Sequence, residues 1–160
     1  MIEAVSEREL LVMLSCSFSL DHDYPDWINL ISAPYQIDGE FSIYQDGNLF
    51  LYEPGTPLIE LALALYKWMQ DEQQAIRKDL VFFPDSYESR IFEVKWIAAD
   101  KCYLQSCDNP NTSTIAASYP EIQSCFIIFI RELNEVLIQE VKLSLKDIFS
   151  RYYPNNTFIF

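Results

Sequence analysis

The segment at positions 56–70 is the feature that most constrains how this chain can fold. Gly55 ends the preceding segment, Thr56 can cap a helix, and Pro57 suits the first helical position, where its missing N–H costs nothing. Apolar side chains then recur at helical spacing, namely Leu58, Leu61, Ala62, Leu65 and Met69, with the stripe widened by Ile59, Tyr66 and Trp68. Because a helix this apolar is usually buried on most of its circumference, we expect a core helix that ends near Gln73.

Alternating residues and turn signals predict an antiparallel sheet around this helix. Apolar and small polar residues alternate over 12–20, which is typical of a strand with one buried face. Asp46-Gly47 separates apolar runs at 37–44 and 49–52 and predicts a hairpin. A second hairpin is expected from 91–98 and 101–107 around Ala99-Asp100, and 80–83 is a short candidate strand. Hairpins pair antiparallel, and we expect helices to cover one face of the sheet.

The last third of the chain predicts a long C-terminal helix. Ser118 and Glu121 form a capping box, and Pro120 lies in the first turn. One helical stripe follows, made of Ile122, Phe126, Phe129, Ile130, Leu133, Val136 and Leu137. Ile127 and Ile138 fall outside it and are expected to touch a second element or a partner. The predicted fold is a single α+β domain over 1–160, with a hairpin-built antiparallel sheet, a buried central helix and the C-terminal helix packed on one face.

Charge is the strongest global feature. The chain has 24 acidic and 11 basic side chains, a net charge of −13, and no Lys or Arg between Arg8 and Lys67. That interval contains nine acids: Glu9, Asp21, Asp23, Asp26, Asp38, Glu40, Asp46, Glu53 and Glu60. A surface of this kind repels nucleic acid and anionic membranes and attracts basic partners. The alternative interpretation is that the negative charge serves only solubility.

The residues that usually bind cofactors or metals do not form motifs in this sequence. Only 3 glycines occur, which excludes a glycine-rich phosphate loop. The four cysteines form no Cys-x-x-Cys pair and His22 lies far in sequence from Cys102, Cys107 and Cys125, so we expect no metal and no cofactor. No secretion signal is evident, and the longest apolar run, 125–130, is too short to span a membrane. A cytoplasmic protein with reduced thiols is therefore expected.

The acidic segment 21–27 contains the residues of greatest functional interest. His22 lies between Asp21 and Asp23 and could act as a general base, but no nucleophile accompanies it, which favours a solvated surface group. Tyr24 and Trp27 are aromatic residues beside carboxylates, a composition typical of interface anchors. The alternative for Trp27 is that its ring plugs the sheet edge.

Two segments resemble a pattern found in small bacterial immunity proteins of polymorphic and contact-dependent growth inhibition toxin systems. They are 37–43, IDGEFSI, and 51–62, LYEPGTPLIELA. The shared pattern is a hairpin followed by Pro-Gly-x-Pro-Leu-x-Glu-Leu and a helix with a tryptophan, here Trp68. A later hairpin, with Glu93-Val-Lys-Trp96, and then a long helix are also similar in kind. The resemblance implies a non-enzymatic protein that binds a cognate toxin domain, and many such toxins are nucleases or other basic enzymes.

The charge and the resemblance together predict a stoichiometric toxin inhibitor with an acidic contact surface. The candidate interface residues are Asp21, Asp23, Tyr24, Asp26 and Trp27, with Asp85 and Glu88 as second candidates. Two other classes stay open. One is an enzyme with an unrecognised site, and the other is a structural or adaptor subunit that uses Ile127 and Ile138 as an apolar interface.

Overall fold

A computed structural model of the chain describes residues 13–73, 77–84, 91–107, 114–156, 158 and 160. The strands are β1 (Leu14–Leu20), β2 (Asp38–Gln45), β3 (Asn48–Pro57), β4 (Leu80–Phe82), β5 (Phe92–Trp96), β6 (Lys101–Ser106) and β7 (Ile115–Ser118). The helices are α1 (Ala33–Gln36), α2 (Leu58–Gln73), α3 (Tyr119–Glu140) and α4 (Leu145–Ser150). The α+β class with antiparallel hairpins, a buried helix and a long C-terminal helix is confirmed.

The described strands form two antiparallel sheets. One has the order β1-β2-β3 and the other the order β4-β5-β6-β7. Both predicted hairpins are present. Asp46 and Gly47 join β2 to β3 with φ values of 50° and 81°, so both residues adopt the left-handed conformation that a two-residue hairpin turn requires. Helix α1 and strand β7 lie outside the elements that the sequence predicted.

The core helix α2 is buried as predicted but begins later than predicted. Strand β3 continues through Gly55 to Pro57, because Thr56 pairs with Gly39 across the ladder. The Thr56 hydroxyl donates to the carbonyl oxygen of Glu53 (2.9 Å). The prediction that Thr56 caps the helix was therefore wrong, whereas the helix extends, as predicted, at least as far as Gln73. All eight apolar residues of the predicted stripe are buried.

Three phenylalanine rings join the two sheets to helix α3. The rings of Phe41 on β2 and Phe92 on β5 stack with centroids 6.3 Å apart, and Phe129 of α3 meets Phe41 edge-on at 5.2 Å. Strand β1 joins this cluster through Phe18, whose ring lies 5.5 Å from that of Phe129. Aromatic pairs in these geometries add to the free energy gained from burial. One hydrophobic core therefore stabilises both sheets.

Helix α3 begins at the predicted capping box. Ser118 Oγ accepts the N–H of Glu121 (3.3 Å), and a carboxylate oxygen of Glu121 accepts the N–H of Ser118 (3.0 Å). Near its end, the buried Asn134 accepts the backbone N–H of Leu145 through Oδ1 (2.8 Å). This bond satisfies a donor at the start of α4 and holds that helix against α3. The rings of Phe158 and Phe160 then pack against the core.

Replacing Asn134 by Ala should lower the free energy of unfolding by about 1–3 kcal/mol, because the N–H of Leu145 is left buried without an acceptor. Urea unfolding followed by circular dichroism measures the change. Gln139→Ala, at an exposed position of the same helix, is the matched control and should alter stability by less than about 0.5 kcal/mol. Equal stability of the two variants would contradict the capping role.

Replacing Gly39 by Ala should destabilise the first sheet, because a Cβ at this position would overlap the carbonyl oxygen of Ser19 and lie 2.7 Å from Cδ1 of Leu58. Overpacking of this kind costs about 1–3 kcal/mol. The exposed Ser15→Ala on β1 is the control, with an expected change within about 0.5 kcal/mol. Thermal unfolding of both variants tests whether the backbone of Gly39 lies this close to Ser19 and Leu58. A Gly39→Ala variant as stable as the wild-type protein would contradict the prediction.

Candidate functional site

Two carboxylates that follow β1 lie beside a third at the start of β2. The backbone N–H of Asp21 donates to the carbonyl oxygen of Asp38 (2.9 Å), which continues the pairing of these strands. The pKa of Asp38 is raised, first because the carboxyl is partly buried and then because Asp23 and Asp21 bring negative charge close to it. Asp21, Asp23 and Asp38 therefore form one acidic corner of the sheet.

A turn in the same loop presents Asp26 and Trp27 to solvent. The N–H of Ile28 donates to the carbonyl oxygen of Pro25 (3.3 Å), so the two side chains lie in the middle of the turn. Trp27 is 64% exposed and does not plug the sheet edge. Tyr24, in contrast, packs partly against the core. Of the two predicted anchors, Trp27 is the one whose ring a partner could cover.

His22 connects the acidic loop to the C-terminal end of α3. Its Nε2 lies 3.1 Å from a carboxylate oxygen of Glu140. Both side chains are well exposed to solvent, so this pair contributes little to stability. The position of this pair is informative, because the contact shows that the loop predicted as an interface and the last turn of α3 belong to the same surface.

Between β1 and α3 lies a groove of about 470 Å³, which we call the acidic groove. Its lining residues are Phe18, Ser19, Leu20, His22, Glu132, Glu135, Val136 and Glu140. Phe18, Leu20 and Val136 are buried or half-buried and make the groove apolar in part, whereas the three glutamates are exposed. The groove thus combines an apolar surface with carboxylates.

The opposite side of β1 holds a second depression of about 260 Å³, which we call the serine depression. It is lined by Ser17, Phe18, Ser19, Glu40, Ser42, Tyr44, Leu49 and Tyr52. Ser17 stands opposite Ser42 in the ladder, so small hydroxyl side chains lie at the centre of this face. The alternation of serines with apolar residues along β1 predicted such a small polar face.

Glu40 is the carboxylate of the serine depression, and Tyr52 holds it in place. The Tyr52 hydroxyl donates to Glu40 Oε1 (2.9 Å). This hydrogen bond is the main reason that the pKa of Tyr52 is raised, with burial and the negative charges of Glu40 and Asp21 adding to it. Asp21 of the acidic corner is therefore close enough to influence the serine depression.

Both depressions suit cationic side chains. Among the described residues that line them, Glu40, Glu132, Glu135 and Glu140 are carboxylates and none is a lysine or an arginine. Carboxylates form strong charge-assisted hydrogen bonds with ammonium and guanidinium groups. The apolar part of the groove can take the methylene stems of the same side chains. Lysine and arginine side chains are therefore groups that this arrangement can hold.

Metal-ligating clusters and membrane-spanning helices are absent from the described parts of the chain. No group of three or more His, Cys, Asp or Glu side chains there could hold a metal ion. Among those same residues, no helix has the length and apolar character needed to cross a membrane.

The structure brings together carboxylates that are far apart in sequence. Asp21 and Asp23 lie in the acidic corner and Asp26 in the adjoining turn, whereas Asp85 and Glu88 lie outside the described residues. Sequence reasoning missed the glutamates of α3, because Glu132 and Glu135 have the spacing of an ordinary solvated helix face. The only sequence feature that pointed to Asp38 and Glu40 was the interval between Arg8 and Lys67, which contains no basic residue. The α3 glutamates could not be assigned to the site before the packing of α3 against β1 was known.

Comparison with known proteins places the chain in a family. No curated protein and no solved structure matches it. The family model DUF7878, described as a domain of unknown function, matches residues 16–139. This range begins in β1 and ends in α3, so it includes every lining residue of the acidic groove except Glu140. Because the match extends over more than half of the 160 residues, the chain belongs to the DUF7878 family.

Proposed function

We propose that this protein is an immunity protein, a stoichiometric inhibitor that binds a basic bacterial toxin domain and has no catalytic activity of its own. The observation that carries the proposal is the concentration of carboxylates on both sides of β1. The acidic groove, the serine depression and the acidic corner together present seven carboxylates: Asp21, Asp23, Asp38, Glu40, Glu132, Glu135 and Glu140. The resemblance of segments 37–43 and 51–62 to immunity proteins supports the same function.

Inhibition of a nuclease is the mechanism that fits this surface best. A nuclease binds the phosphates of its substrate through Lys and Arg. Carboxylates of the inhibitor that reach these Lys and Arg side chains would compete with the phosphates of the nucleic acid for binding. The net charge of −13 would speed the encounter through long-range attraction, and Trp27 would slow dissociation once its ring is covered. We place this interaction in the cytoplasm, where an inhibitor of an incoming toxin would act.

A second candidate function, that of an adaptor subunit in a larger assembly, is favoured by exposed apolar side chains elsewhere. Ile31, Tyr35 and Tyr152 are 64%, 70% and 49% exposed and border one depression. Of the two residues predicted for such an interface, Ile138 is exposed, whereas Ile127 packs partly against the core. Binding through the exposed apolar side chains of Ile31, Tyr35 and Tyr152 would depend little on salt, which distinguishes it from binding through the acidic surface.

The proposal predicts which partner the protein captures in its native host. The tagged protein, used as bait at low and moderate salt, should recover one basic toxin domain at a one-to-one ratio, identified by mass spectrometry. Less of this domain should be recovered at moderate salt, because screening weakens the attraction between exposed charges. Recovery of only the protein itself, or of a stable assembly of several subunits that resists salt, would reject the inhibitor function in favour of the adaptor.

Reversing one charge in the acidic groove should slow association with that domain. Glu135→Lys is expected to lower the association rate constant about tenfold at low salt and to weaken its salt dependence, as measured by stopped-flow fluorescence. The matched control is Asp100→Lys, also at an exposed position. Asp100 adjoins the first residue of α3, Tyr119, which lies about 24 Å from residue 135 along the helix. Equal slowing by both variants would indicate a nonspecific effect of net charge and remove the groove from the interface.

A further inference from the structure

Two cysteines from distant parts of the chain meet between β1 and α3. Cys16 lies on the core-facing side of β1 and Cys125 on the buried face of α3, and they are 109 positions apart in sequence. Their sulfur atoms are 2.9 Å apart, and both residues carry free thiols. A disulfide has a sulfur–sulfur bond of about 2.05 Å, so the sulfurs would have to approach by less than about 1 Å.

We propose that Cys16 and Cys125 are a redox-responsive pair that forms a disulfide bond by exchange with an oxidised low-molecular-weight thiol such as glutathione disulfide. The structure supports this through the position of the two sulfurs at the edge of the sheet. Cys125 is buried, whereas Cys16 is half-buried on β1, the edge strand, so we expect the exchange to begin at Cys16. The inference does not depend on the proposed function.

The exchange proceeds in two balanced steps. The Cys16 thiol gives its proton to solvent, and the thiolate attacks one sulfur of glutathione disulfide, which breaks the glutathione S–S bond and releases one glutathione thiolate. That thiolate takes the proton of Cys125, and the Cys125 sulfur then attacks Cys16 Sγ and expels the second glutathione as a thiolate, which takes a proton from solvent. Two protein thiols are thereby oxidised, and one glutathione disulfide is reduced to two thiols. Because the sulfurs are already in contact, the second step is effectively intramolecular.

The surroundings of the pair make the first step slow. The pKa of Cys16 is well above its ordinary value, first because its thiol is hydrogen-bonded to Cys125, and then because burial, the neighbouring Cys125 and the Glu132 carboxylate disfavour a thiolate. The thiolate is therefore scarce at neutral pH, and thiolate is the reactive form. A pair of this kind does not act as a rapid sensor. It responds to a sustained change in redox conditions.

The disulfide would cross-link β1 and α3, the two walls of the acidic groove. Phe18, Ser19 and Leu20 follow Cys16 on β1, and Glu132 and Glu135 lie two to three helical turns beyond Cys125 on α3. Strand β1 is at the edge of its sheet, paired only with β2 among the described strands. Oxidation would therefore link β1, the edge strand, covalently to α3.

The test is to incubate the purified protein for hours with mixtures of glutathione disulfide and glutathione and to measure intact mass and tryptic peptides without reduction. We expect a loss of two hydrogens, one linked peptide pair containing Cys16 and Cys125, and a melting temperature about 10 °C higher because a long loop is closed. Dithiothreitol should reverse both changes. In hydrogen exchange, the amides of β1 should be better protected in the oxidised protein.

Two single variants and one control complete the design. Cys16→Ser and Cys125→Ser should each abolish the linked peptide and the melting shift, whereas Cys107→Ser, the control, should retain both. The proposal is overturned if the wild-type protein remains fully reduced under strongly oxidising mixtures. It is equally overturned if glutathione is retained as a mixed disulfide on Cys16 while Cys125 stays a thiol. Since these measurements use the wild-type protein, they decide the question even if a serine variant fails to fold.

Discussion

The contact of three phenylalanine rings at the centre of the molecule is the interaction on which the rest of the structure depends. Phe41, Phe92 and Phe129 come from the first sheet, the second sheet and α3, and they touch in one cluster. Phe18 adds β1 to the same cluster through Phe129. Because β1 and α3 are the walls of the acidic groove, the position of every carboxylate in the groove follows from how these rings pack. Packing at this density leaves little freedom for either wall to shift.

The acidic surface works against the stability of the fold that carries it. The pKa of Asp38 is raised first by burial, and the negative charges of Asp23 and Asp21 add to the shift. The described residues that line the two depressions include carboxylates but no lysine or arginine, so these carboxylates repel each other, and burial in the core must offset this repulsion. A cationic partner would remove the repulsion on binding. This release of repulsion supports the proposed cationic partner over the alternative that the charge serves only solubility.

The same surface shows how far the sequence could predict the candidate site. Asp21, Asp23 and Asp26 were identified because no basic residue occurs near them in the chain, and the structure places the first two in one corner. Glu140 was not identified, although it meets His22, because 118 positions separate the two in sequence. Cys16 and Cys125 escaped notice for the same reason. Spacing along the chain reports only on residues that share an element or a turn.

What the sequence determined by itself is local. The apolar stripe of α2, the Asp46-Gly47 turn and the capping box at Ser118 each depend on residues within one helix or one turn, so helical or strand periodicity was enough to predict them. Thr56 shows where such local prediction fails, because its pairing with Gly39 in the β-ladder prevents it from capping the helix. Only the tertiary structure decided that the strands divide into two sheets and that α3 lies against β1. Those outcomes depend on how distant side chains fill a shared core, and no short pattern in the chain encodes that packing.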